Sequence, residues 1–234
     1  MFLRSFSVQA TWNYRTLMGS GFAFVLMPAL QEVYGHDREK LRAAIARHTA
    51  VFNSHPYVMG VAAGAVARME MDGADPTMID RFKAAVRGSL GTLGDQLVWA
   101  GWRPLCALFA LVLLLVGAPW WGVCGGFLLT YNAGHLAMRA YGFNVGWRFG
   151  MGVAERLRRG WIAEAQHRIT TVCAFLLGVL LPLIINGRTF DLSQPAAWAG
   201  LAVIGLALGI HYGGAIRTPV VVALGAFAVL GLIA

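Results

Sequence analysis

Charge is what this sequence has least of: 13% of its 234 residues are Asp, Glu, Lys or Arg, where a soluble domain carries about a quarter. Residues 104–138 hold none, and neither do 169–187, 192–216 and 218–234. Runs of that length exclude a soluble domain and read as membrane segments, the first long enough for a hairpin. Cysteine is nearly as scarce. Cys106, Cys124 and Cys173 stand singly in apolar runs, which excludes a disulfide framework and a thiolate metal site and leaves small buried hydrophobes. The histidines form no H-E-x-x-H or Cys/His pattern, and no spaced carboxylate pair accompanies them. Metal chemistry and hydrolysis are therefore not expected, and no cofactor is implied. The first apolar stretch, 21–30, follows a mixed polar segment without a small-residue cleavage site, so no cleavable leader is expected.

What the chain does have is apolar residues, 58% of the total, and a mean hydropathy of +0.61. The expected fold is all-α: a polytopic helical membrane protein with an amphipathic helical N-terminal region and broken or re-entrant helices. The net charge of +8 and pI near 10.0 would suggest nucleic acid in a soluble protein. Here the basic residues gather in 1–103 and 139–168, while the turn at Arg188 and Asp191 is nearly neutral. That is the positive-inside pattern, which places the N-terminal region and 139–168 in the cytoplasm and makes nucleic-acid binding an unneeded reading.

Along the chain, 11–33 reads as an amphipathic helix with a kink at Pro28. Asp37 is a candidate N-cap for a helix to about Phe52, and Asn53-Ser54-His55-Pro56 interrupts it. Helical spacing resumes over 57–70, a polar loop with Gly73 follows, and Thr77 to Asp80 resembles a capping box for a helix to about Arg87. The glycines at 88, 91 and 94, ending at Asp95, predict an unwound segment. These marks divide the chain into an N-terminal amphipathic helix, cytoplasmic or interfacial (1–35), a core with helix breaks and a membrane hairpin (36–191) and C-terminal membrane helices (192–234). Two glycine ladders, Gly142/Gly146/Gly150 and Gly205/Gly209/Gly213, put small residues on one helix face and predict close packing, with another subunit as a candidate partner.

Two constellations can carry chemistry. The glycine run is neither G-x-G-x-x-G nor a Walker loop, so a nucleotide site is excluded. A broken helix instead exposes backbone groups that membranes tolerate only around a protein-lined or wet cavity. Asp95 at its end has three readings: contact with a ligand or ion, pairing with Arg87 or Arg103, or a solvated cap. Asn53 and His55, held off helical geometry by Pro56, can each donate and accept, which suits neutral hydroxylated ligands; the plain alternative is a helix C-cap and surface turn. Gln96 can add one more contact. Trp99, one turn beyond Asp95, can stack on an apolar sugar face or serve in an interfacial belt with Trp120 and Trp121.

In order along the chain, these motifs resemble the IID subunit of the mannose/fructose/sorbose family of the bacterial sugar phosphotransferase system. Trp12-Asn13-Tyr14-Arg15 is similar to that family's Trp-Asn-Tyr-Glu run. Arg47-His48 and Phe52-Asn53-Ser54-His55-Pro56 resemble its Arg-His and Phe-Phe-Asn-Thr-His-Pro block, and residues 88–99 resemble its Met-Gly-Pro-Leu-Ala-Gly-Ile-Gly-Asp-Ser-x-x-Trp block. Asn132, Arg139 and Gly146 fit a looser pattern further on. The chain departs from the family at Arg15, Arg87 and Ser89, the last standing where the family has proline. The resemblance implies a non-catalytic subunit of the bacterial cytoplasmic membrane that forms a hetero-oligomer with a IIC membrane subunit. Together they would move a hexose, while cytoplasmic IIA and IIB proteins supply phosphate. A second reading is a degenerate IID-like scaffold that does not transport. The residues expected to meet sugar are Asn53, His55, Asp95, Gln96 and Trp99.

Overall fold

The first long helix begins later than its apolar pattern suggests. In the computed structural model, which describes residues 1–158 and 162–186 with positions 221, 223 and 225, α1 spans Gly19–Tyr34. Ahead of it, Asn13 Oδ1 accepts from the backbone N–H groups of Arg15 and Thr16, and Leu17 adopts a φ of 54°. The Asn side chain thus stabilises a turn where helix was expected. One face of α1 is packed into the core: Phe22, Val25, Leu26 and Leu30 are fully buried, and Phe22 stacks on Phe52 at 4.2 Å.

Helix α2 (Arg38–Thr49) starts where expected, with the Asp37 carboxylate accepting from the backbone of Glu39 and Lys40. Helix α3 (Met59–Met71) ends in a turn at Gly73, whose φ of 69° suits glycine. Helix α4 (Pro76–Gly94) is capped by Asp75, not by the later Thr77, because Pro76 at its first position leaves Asp75 to accept from Thr77 and Met78. Its buried residues Ile79, Phe82, Val86, Leu90 and Gly94 form one stripe against the core.

The glycine run does not unwind. Gly88 and Gly91 sit in regular helix facing open space, and Ser89 turns its hydroxyl back to the Val86 carbonyl. The two glycines cost about 1 kcal/mol each relative to alanine, and burial of Val86 and Leu90 on the opposite stripe offsets that. The interruption appears one residue later and in another form, an eight-residue π-helical segment at Asp95–Trp102. Helix α5 (Arg103–Leu115) follows, then a turn with Gly117 at φ 84° and helix α6 (Trp120–Phe149), which is the expected hairpin. Helices α7 (Val153–Arg158) and α8 (Ile162–Asn186) complete the described chain.

Among the described residues, the continuous helix Pro76–Leu115 is long and apolar enough to cross a membrane. The runs 192–216 and 218–234, the ladder Gly205/Gly209/Gly213 and the turn at Arg188 and Asp191 lie outside the described residues. The chain divides into two compact units, Met1–Leu97 with Ala133–Ile162, and Val98–Asn132 with the remainder. In the first, the ladder of α6 packs against α3. A methyl on Gly146 would collide with the Val61 carbonyl, and one on Gly64 with the Phe143 carbonyl. The close packing expected of Gly142 and Gly146 is therefore satisfied within the chain, leaving that face no room for another subunit.

Candidate functional site

The polar break between α2 and α3 meets the C-terminal end of α4. His55, on the connection between α2 and α3, is 4% exposed and lies so close to Gly94 that any Cβ there would overlap its Cβ and Cγ. Only glycine permits this approach, so the last glycine of the run serves contact and not unwinding. The Tyr57 backbone N–H donates to His55 Nδ1 at 3.2 Å, and the rings of His55 and Tyr57 meet edge to face at 5.1 Å. Burial pushes the His55 imidazole below its ordinary value, while the neighbouring Asp95 carboxylate pulls it back up and Arg139 adds to the downward push.

Asp95 follows Gly94 directly and is exposed. Among the described residues its carboxylate forms no ion pair with Arg87 or Arg103. Arg103 instead lies over the Trp99 ring at 5.0 Å, so one face of that indole is covered by a guanidinium. Trp99 is half exposed and belongs to the second compact unit, whereas Asn53, His55, Asp95 and Gln96 belong to the first. Asn53 and Gln96 are exposed.

Two clusters were not legible in the sequence. Glu70, 1% exposed at the end of α3, accepts from Arg47 Nη2 at 2.6 Å, His48 Nε2 at 2.7 Å and the Tyr34 hydroxyl at 2.7 Å. Burial alone would raise its carboxyl, but hydrogen bonds from His48, Arg47 and Tyr34 outweigh that and hold it at about 2. His48 is itself pushed down by burial, so the ring is neutral and donates its Nε2–H to the carboxylate. Buried Lys83 donates to the Arg47 carbonyl at 2.7 Å, tying α4 to the same cluster. The sequence signal was faint: an Arg-His pair at the end of one helix and a lone carboxylate at the end of the next. The second cluster surrounds Arg139 on α6. Its Nη1 donates to the Ser5 carbonyl at 2.8 Å and to the Ser5 hydroxyl at 2.9 Å, and its guanidinium lies over the rings of Phe6 and Tyr57.

These features define a class: an all-α membrane protein whose polar groups gather where helices are interrupted, with no metal-holding cluster among the described residues. The family model for the PTS system mannose/fructose/sorbose family IID component matches residues 1–211. The chain is 31% identical over 188 residues to the sorbose-specific EIID component of Klebsiella pneumoniae, covering 77% of this chain and 67% of that protein. It is 27% identical over 202 residues to the mannose-specific EIID component of Escherichia coli K12, covering 81% of this chain and 71% of that one. A chain in the cryo-EM structure of the mannose transporter ManYZ with microcin E492 superposes with a TM-score of 0.60 at 27% identity, over 76% of this chain and 66% of that one. This chain thus spans about two thirds of the length of these relatives. It belongs to the mannose/fructose/sorbose family of IID components, membrane subunits of the sugar phosphotransferase system.

Proposed function

We propose that this chain acts with a IIC membrane subunit to carry a hexose across the bacterial cytoplasmic membrane, without itself transferring phosphate. Phosphoryl transfer belongs to cytoplasmic IIA and IIB partners, and the N-terminal region faces the cytoplasm. The site reading rests on one observation, the seating of His55 on Gly94 beside the exposed Asp95 carboxylate. A neutral imidazole N–H and a carboxylate side by side offer one donor and two acceptor oxygens, which matches sugar hydroxyls that both donate and accept. Asn53 and Gln96 add neutral contacts on the same unit.

The test is uptake by cells expressing this chain with its IIC partner. Asp95→Asn keeps the shape and removes the charge, at a cost of about 1.5 to 3 kcal/mol, or roughly a ten- to hundredfold loss of apparent affinity. Asn53→Ala should lose a similar or smaller factor. Gly94→Ala should impair uptake as well, because the added methyl drives His55 from its seat. Both polar variants should still insert and co-purify with the IIC subunit. Normal uptake in all of them would move the sugar site elsewhere, and failure of Asp95→Asn to insert would make Asp95 structural.

A further inference from the structure

Arg139 is 5% exposed, and among the described residues no carboxylate pairs with it. Its Nε has no hydrogen-bond partner there either. A buried cation without a counterion is costly, so its surroundings carry information about what it does. The guanidinium lies 5.1 Å from the centre of the Tyr57 ring, and His135, one helical turn earlier on α6, stacks on the same ring at 4.6 Å. Tyr57 is in turn the residue that holds His55, through its backbone N–H and the edge of its ring.

We infer that Arg139 is a positioning residue for the sugar site, holding His55 neutral, protonated on Nε2 and seated on Gly94 through its charge and its grip on Tyr57. The inference rests on the role given to His55 under Proposed function. Because Tyr57 N–H donates to Nδ1, the neutral ring must carry its proton on Nε2, which makes His55 a donor toward a ligand. A second proton on Nδ1 would set two donors against each other and force the ring off Gly94. Among the described residues, two charges bear on whether that proton arrives. Asp95, from the end of α4, attracts it, and Arg139, from α6, repels it. His135, also on α6, stacks on the Tyr57 ring whose edge meets His55. Arg139 thereby lets a carboxylate and a neutral imidazole stand together without the imidazole becoming charged.

The test uses the full chain with its IIC partner, with 15N-labelled histidine rings and the His55 signal assigned by its loss in His55→Gln. The wild type at pH 7 should show a neutral His55 with the proton on Nε2. Arg139→Gln should raise the pH at which His55 titrates and make uptake fail at a higher pH than in the wild type. Arg139→Lys, which keeps the charge, should leave both near the wild-type position. An unmoved His55 midpoint in a folded Arg139→Gln protein overturns the inference. So does a wild-type His55 that is charged at pH 7 or protonated on Nδ1, a measurement that needs no variant and stands even if Arg139→Gln does not fold. A shifted midpoint combined with uptake indifferent to Asp95→Asn and His55→Gln overturns the sugar reading and not the Arg139–His55 coupling.

Discussion

Replacing Glu70 with glutamine should lower the stability of the first compact unit more than most single changes in this chain. The carboxylate is nearly inaccessible and satisfies three donors from two other helices. A carboxyl that ordinarily titrates at 4.5 and is held at about 2 stores roughly 3 kcal/mol at neutral pH. Breaking buried ion pairs costs a similar amount, about 3 to 5 kcal/mol, because the partner cation is left uncompensated. For a chain of this size that corresponds to a fall in Tm of roughly 10 °C. The sign of the pH dependence follows from the lowered value. The stabilisation is complete above pH 4.5 and is lost as pH falls toward 2, where the folded carboxyl also protonates. Thermal unfolding in detergent should therefore show a Glu70→Gln Tm well below wild type at pH 7, with the two curves converging in acid. A Tm at pH 7 within about 2 °C of wild type, or a gap that persists unchanged to pH 3, would refute the reasoning.

Gly64→Ala and Gly146→Ala should each destabilise the α3–α6 pair by about 1 to 3 kcal/mol through backbone collision, whereas Gly88→Ala, facing open space, should be neutral or stabilising by up to about 1 kcal/mol; unfolding of the purified proteins orders them. For topology, Tyr14→Cys in a cysteine-free background is the informative probe, since Tyr14 is 91% exposed. It should resist membrane-impermeant thiol reagents in intact cells and react after permeabilisation, and strong labelling of intact cells would reverse the orientation.

Local chemistry was legible and tertiary pairing was not. Asp37 acts as the expected cap because a carboxylate, two free N–H groups and a helix start are all contained within a few residues. The hairpin of α5 and α6 could be read from uncharged length alone. The glycine run misled, because intrinsic propensity at Gly88 and Gly91 is a small penalty that one buried stripe overrides. The glycine ladder of α6 announced close packing, but its spacing carries no information about which surface comes close, and that surface proved to be α3. Glu70 finds His48 across 22 positions and Arg139 finds Ser5 across 134. No pattern within either segment specifies such meetings. Asn53, His55 and Asp95 were singled out for their chemistry, yet the grip of Tyr57 and Arg139 on His55 depends on where α6 returns.

That return has a bearing on the order in which the protein is made. The first compact unit is interrupted in sequence: Met1–Leu97 must wait for Ala133–Ile162, with Val98–Asn132 between them. On the ribosome, the Glu70 cluster can close as soon as α4 has emerged, since its members all precede residue 84. The bed for Gly60 and Gly64, and the guanidinium that fixes Ser5, arrive only after the α5–α6 hairpin has been synthesised. Until then α3 carries an open apolar groove and the N-terminal turn has no anchor. Synthesis of the hairpin thus gates completion of the unit, and a nascent chain stalled before residue 133 should expose its first eight residues to proteases that the finished protein resists.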